Sequence, residues 1–109
     1  MFDAMDSDDS RQDALAAQRQ AAIYGVQNAY NLKMDMARGE GEYLTSFATI
    51  LNVPQSQHAQ VFKIAQHGYP SVWRSGISVE QSMNEFLTQL ATAHLVASPP
   101  LVIRDQLPR

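Results

Sequence analysis

At 109 residues and 45% apolar content, the chain has room for one domain with a small core. A net charge of −3, with acids crowded at the front and eight Lys and Arg scattered along the chain, lacks the basic footprint of a nucleic-acid binder. Zero cysteines exclude disulfides, thiolate catalysis and Cys-type zinc sites, and no apolar run approaches the roughly 18 residues of a membrane span.

Residues 1–9 hold Asp3, Asp6, Asp8 and Asp9 and few order signals, so they read as a disordered acidic lead. They are acidic where a signal peptide is basic, as expected of a cytosolic chain or of a processed form given a start methionine. Ser10 followed by Asp13 predicts an N-cap. From there Leu15, Ala22, Ile23, Val26, Tyr30, Met34 and Ala37 recur at three- and four-residue steps, predicting one amphipathic helix of roughly 26 residues with Gly25 as a soft spot.

The block Asp35-Met36-Ala37-Arg38-Gly39-Glu40-Gly41-Glu42-Tyr43-Leu44 places two glycines in a run that otherwise reads as helix. Each costs about 1 kcal/mol relative to Ala, so the pair marks either a helix break or a face approached too closely for a Cβ. Tyr43, Leu44, Phe47, Ile50 and Leu51 then form a second stripe, stopped by Asn52 and Pro54. Ser56 is placed to cap a third helix through Val61, Phe62, Ile64 and Ala65, with Gly68 as its stop and Pro70 opening a short new turn. Ser78 with Gln81 spells a capping box for a fourth helix through Val79, Met83, Phe86, Leu87, Leu90 and His94, ended by Ser98-Pro99-Pro100. Strand alternation is absent. The expected fold is an all-α small bundle over residues 10–97, with one long N-terminal helix, two or three shorter ones and an extended Pro-containing arm over 98–109.

The run Lys33–Leu44, followed by Phe47-Ala48-Thr49-Ile50-Leu51, resembles the C-terminal half of a family of small exported bacterial proteins of unknown function. The shared signature is roughly Asp-Met-Ala-(Arg/Gln)-Gly-x-Gly-Glu. The segment Phe62–Trp73 and the helix opening at Ser78 follow in the family's order, so the likeness covers about Lys33 to Leu95. The front departs from the family's pattern, which has a signal peptide and a cysteine-containing Gly/Ser/Thr-rich part. The resemblance implies export to the periplasm or beyond and a helical tail domain, and it implies no activity.

No chemistry-bearing constellation survives a spacing test. Glu40 and Glu42 lie two apart, about 200° around a helix, and cannot share an acid–base site; pairing of Asp35 with Arg38 and of Arg38 with Glu42 is the simpler reading. An anion nest at Gly39 and Gly41 would meet two flanking carboxylates. His58 and His67 fall on opposite faces of one helix, and His94 belongs to another, so the histidines read as surface or capping residues. No Gly-x-Ser-x-Gly elbow occurs.

What remains is an excess of helical apolar surface, which predicts a non-enzymatic interaction or assembly subunit without metal or cofactor. Its protein partner, or a second copy, is expected on Tyr24, Met34, Met36, Gly39, Gly41 and Tyr43, since Met and Tyr fill irregular contact surfaces. The apolar arm Leu101, Val102 and Ile103 is expected to join that contact. The alternative is an exported binding protein holding a small apolar ligand between Phe47, Phe62, Trp73 and Phe86.

Overall fold

The computed structural model describes the backbone of residues 2–97 and the side chains from Asp13 onward. All regular structure there is helical: α1 (Phe2–Gln27), α2 (Ala29–Arg38), α3 (Glu42–Ile50), α4 (His58–Val72) and α5 (Val79–Thr92), with a short 3₁₀ turn at Gln55–Gln57 before α4. The expected acidic lead falls within the backbone bounds of α1, and its side chains lie outside the described residues, as does the arm over 98–109.

The first correction concerns the helix expected to run unbroken to Ala37. It divides at Asn28, whose backbone leaves helical geometry (φ −121°, ψ 33°) and whose side-chain amide donates to the Tyr24 carbonyl at 2.9 Å. An Asn that offers the backbone an alternative partner weakens the helix ladder at that point. The break is local, because Asn28 N–H still reaches Tyr24 O and Leu32 N–H still reaches Asn28 O.

The face that α1 and α2 turn inward is a second surprise. Gln18, Ala21, Gly25, Leu32, Asp35 and Met36 are buried, whereas Ile23, Val26, Tyr30 and Met34 face outward. Small residues let α1 approach α5 closely. A Cβ built on Gly25 would overlap the Met83 sulfur, so Gly25 is the contact point of the two helices and not a weakness in one of them. Gly68 plays the same part between α4 and α5, since a Cβ there would overlap the Gln89 side-chain oxygen. The helix therefore runs through Gly68 and through Pro70 to Val72, and the stop expected at Gly68 does not occur. Pro70 sits within the last turn, where few later bonds depend on it.

Three helices end in one way. Gly39, Asn52 and His94 adopt left-handed backbone (φ 83°, 64° and 64°), and around each the chain makes the paired bonds of a Schellman cap. These are Glu40 N–H to Asp35 O with Gly39 N–H to Met36 O, Val53 N–H to Ala48 O with Asn52 N–H to Thr49 O, and Leu95 N–H to Leu90 O with His94 N–H to Ala91 O. The stop expected at Asn52 is thus present with its mechanism, while α5 ends at Thr92, well before the prolines expected to end it. The Ser78–Gln81 capping box forms in both directions, at 3.1 and 2.9 Å. Ser56 caps nothing: α4 starts at His58, whose ring Nε2 lies 2.9 Å from the Val53 carbonyl.

The core fills with Leu32, Met36, Leu44, Phe47, Ala48, Val61, Ala65, Val72, Met83, Phe86 and Leu90, all fully buried. Phe47 of α3 stacks on Phe86 of α5 with centroids 5.2 Å apart, joining the middle of the chain to its last helix. A left-handed conformation costs a Cβ-bearing residue about 1–2 kcal/mol, against almost nothing for glycine. His94→Gly is therefore expected to raise stability by up to about 1 kcal/mol, read as a higher urea midpoint with unchanged slope.

Candidate functional site

The glycine block folds into a compact knot around one carboxylate. Asp35, near the end of α2, is buried and sits opposite the start of α3. One of its oxygens accepts from the Arg38 guanidinium at 2.6 Å. The other accepts from the backbone N–H groups of Tyr43 and Leu44 at 2.8 and 3.2 Å. Those two amides belong to the first turn of α3, whose own cap position is Gly41 and carries no side chain to accept them. Asp35 thus caps a helix that begins seven residues after it, where the positive end of the helix dipole favours a carboxylate.

Both glycines follow from this geometry. Gly39 takes the left-handed position that ends α2, and Gly41 (φ 144°) takes a conformation side chains rarely adopt, with the Asp35 carboxylate where its Cβ would be. The Asp35–Arg38 pair expected from spacing is present, but no bond joins Arg38 to Glu42 among the described residues, because the helix breaks between them. Gln66 of α4 closes the back of the knot, donating to the carbonyls of Ala37 and Arg38 at 3.3 Å each.

The knot is structural chemistry. Its carboxylate has two backbone donors and one guanidinium, and no group of three or more His, Asp or Glu placed to hold a metal occurs among the described residues.

The residues expected to meet a partner separate into distinct environments. Met36 is fully buried, and its sulfur accepts from the Trp73 indole N–H at 3.3 Å, so it belongs to the core. Tyr24 and Tyr43 stack on one another, centroids 6.4 Å apart, and are half-buried within the chain. Gly39 and Gly41 are committed to the knot. Of that set only Met34, 43% exposed, presents a large apolar side chain to solvent. Leu101, Val102 and Ile103 lie outside the described residues.

The structure adds three residues that sequence reasoning had assigned to the core stripe. Ile23 is 52% exposed, Val26 36% and Tyr30 73%, and with Met34 they run at steps of three, four and four across the α1–α2 break. The signal that identifies them is the inward face: Ala21 and Gly25 are small, so the large apolar residues on these helices are the ones left outside. The ligand pocket expected between Phe47, Phe62, Trp73 and Phe86 does not assemble. Phe47 and Phe86 fill the core against each other, Phe62 packs beside the His58 ring, and Trp73 opens on a different groove with Tyr30.

A family model described as "Protein of unknown function (DUF3015)" matches residues 7–98, most of the chain and all of the knot. The chain belongs to this family. The match extends well before the likeness read from Lys33 onward, so α1 from residue 7 on is part of the DUF3015 unit. No curated protein and no solved structure matches. In this DUF3015 chain, no helix among the described residues is long and apolar enough to cross a membrane.

The knot predicts its own energetics. Asp35→Ala leaves two amides and a guanidinium without their acceptor and is expected to destabilise by about 2–3 kcal/mol in chemical denaturation. Gly41→Ala, which would stabilise an exposed helix interior, is expected to cost about 2 kcal/mol through its strained φ and its overlap with Asp35. Because both substitutions break one arrangement, the double variant should lose clearly less than the sum, and additive losses would show the two sites to be independent.

Proposed function

We propose that this chain is a non-enzymatic helical interaction module that pairs with a protein surface, a second copy of itself being the simplest occupant. The supporting observation is the outward stripe Ile23, Val26, Tyr30 and Met34, four large apolar side chains between 36% and 73% exposed. Scattered exposed apolar residues are ordinary on protein surfaces, but aligned ones at helical spacing form a face suited to a facing helix. The segment from Gln20 to Leu32 contains no charged residue, so two copies of the stripe meet without like-charge repulsion within that segment.

The apolar arm Leu101, Val102 and Ile103 belongs to the same proposal, since two prolines direct it away from helix and three adjacent apolar side chains favour a groove over water. An exported, periplasmic location is proposed from the resemblance of the glycine block alone.

The test is light scattering over a roughly hundredfold concentration range. The parent is expected to gain mass with concentration, and Val26→Asp with Tyr30→Asp to stay monomeric throughout with unchanged helical circular dichroism. Deletion of residues 98–109 should shift the association to higher concentration. A parent whose mass does not change over the range would end the self-pairing reading.

A further inference from the structure

A second surface feature lies where three elements meet. A groove of about 310 Å³ is formed by α2, the α4–α5 connection and the first turns of α5. Its working residues are Tyr30 and Lys33 from α2, Trp73 and Arg74 from the end of α4, and Ile77 and Val79 from the approach to α5. The volume is at the small end of ligand sites, enough for a compact molecule and not for a large cofactor.

The lining has a definite chemical character. Trp73 and Tyr30 offer aromatic surface, and Ile77 and Val79 offer aliphatic surface. The Trp73 ring is held in place from behind by its N–H contact to the Met36 sulfur in the core, so the platform is pre-set and not a loose surface side chain. The Lys33 ammonium stands 5.9 Å from the Trp73 ring centroid, a cation–π distance that keeps it at the groove.

Charge then selects the occupant. Both cations of the lining, Lys33 and Arg74, lack an acidic partner among the described residues, where the single ion pair is Asp35–Arg38. No carboxylate lines the groove; Glu80, next to Val79, is exposed and outside it. Two unpaired cations beside apolar walls, in a chain of net charge −3, form a local positive site against the sign of the whole molecule.

We propose that this groove binds a small amphipathic anion, a carboxylate on a compact apolar body. The apolar body lies against Trp73, Tyr30, Ile77 and Val79, and the carboxylate is taken by Lys33 and Arg74. Arginine suits a carboxylate through its planar fork, and lysine adds a point charge whose stem packs along the ring. The apolar body explains the aromatic platform, which a bare inorganic anion would not use. The site shares Tyr30 with the pairing stripe and otherwise uses different residues.

Trp73 is the only tryptophan, so its emission reports the groove directly. The full chain is titrated with decanoate, 2-naphthoate and the neutral analogue decanol, following Trp73 emission and heat of binding, with far-ultraviolet circular dichroism recorded at each point. The expected result is saturable binding of a carboxylate with helicity unchanged, and decanol weaker by roughly fivefold or more. In Lys33→Gln/Arg74→Gln, which removes the half-buried charge over Trp73 and the exposed charge beside it but no fully buried side chain, the carboxylate should weaken by roughly tenfold while decanol changes far less. Tighter binding of decanoate assigns fatty acids as the ligand class, and tighter binding of 2-naphthoate assigns aryl acids. Equal affinity for decanoate and decanol would overturn the proposal. So would undiminished carboxylate binding in the double variant, absence of binding, or loss of helicity in place of a saturable signal.

Discussion

A buried carboxylate must be surrounded by donors or it becomes a liability, and among the described residues the fold is arranged around meeting that demand at Asp35. The donors come from both sides of a turn. Arg38 lies on the helix that is ending, and the amides of Tyr43 and Leu44 lie on the helix that is beginning. Satisfying one side chain therefore sets the direction in which α3 departs from α2. That direction carries Leu44, Phe47 and Ala48 into the interior, where Phe47 meets Phe86. The carboxylate fits only because Gly41 has no side chain, so composition of the block and geometry of the core are one constraint.

The last helix is the other organising element. α5 receives α1 at Gly25 and α4 at Gly68, in both cases through a glycine that brings a long polarisable or amide side chain of α5 onto a neighbouring backbone. Met83 is suited to this place, since an unbranched thioether fills the irregular space between a glycine and Leu32. Gln89 is anchored beside Gly68 by donating to Ser71 and Glu85. Two interior glycines that lower helix propensity are thereby converted into two close helix contacts.

Much of this was legible in the residues. The all-helical class, the Ser78–Gln81 box, the Asn52 stop and the Asp35–Arg38 pair follow from local rules that tertiary packing leaves alone. What was not legible depended on partners distant in sequence. Periodicity weights Ile23 and Val26 as core because they are large, yet the inward face belongs to Ala21 and Gly25, whose value appears only when α5 is in place. Gly68 reads as a stop until Gln89 is seen lying on it, and Met36 reads as a contact residue until Trp73 is seen to cover it. The groove at Trp73 was missed for a similar reason: Tyr30, Trp73 and Val79 come from three separated segments that no spacing rule connects.

The Asp35 cap has a further consequence, in the order of events during folding. Its two amide bonds span eight and nine residues, so closing them costs little loop entropy. Docking of α5 against α1, by contrast, brings together residues as far apart as Gly25 and Met83, and pays a larger closure entropy before any packing rewards it. The α2–α3 turn is thus placed among the early structures and the α1–α5 seam among the late ones. On this ordering a disturbance at Asp35 is expected to slow folding, and one at Gly25 chiefly to hasten unfolding.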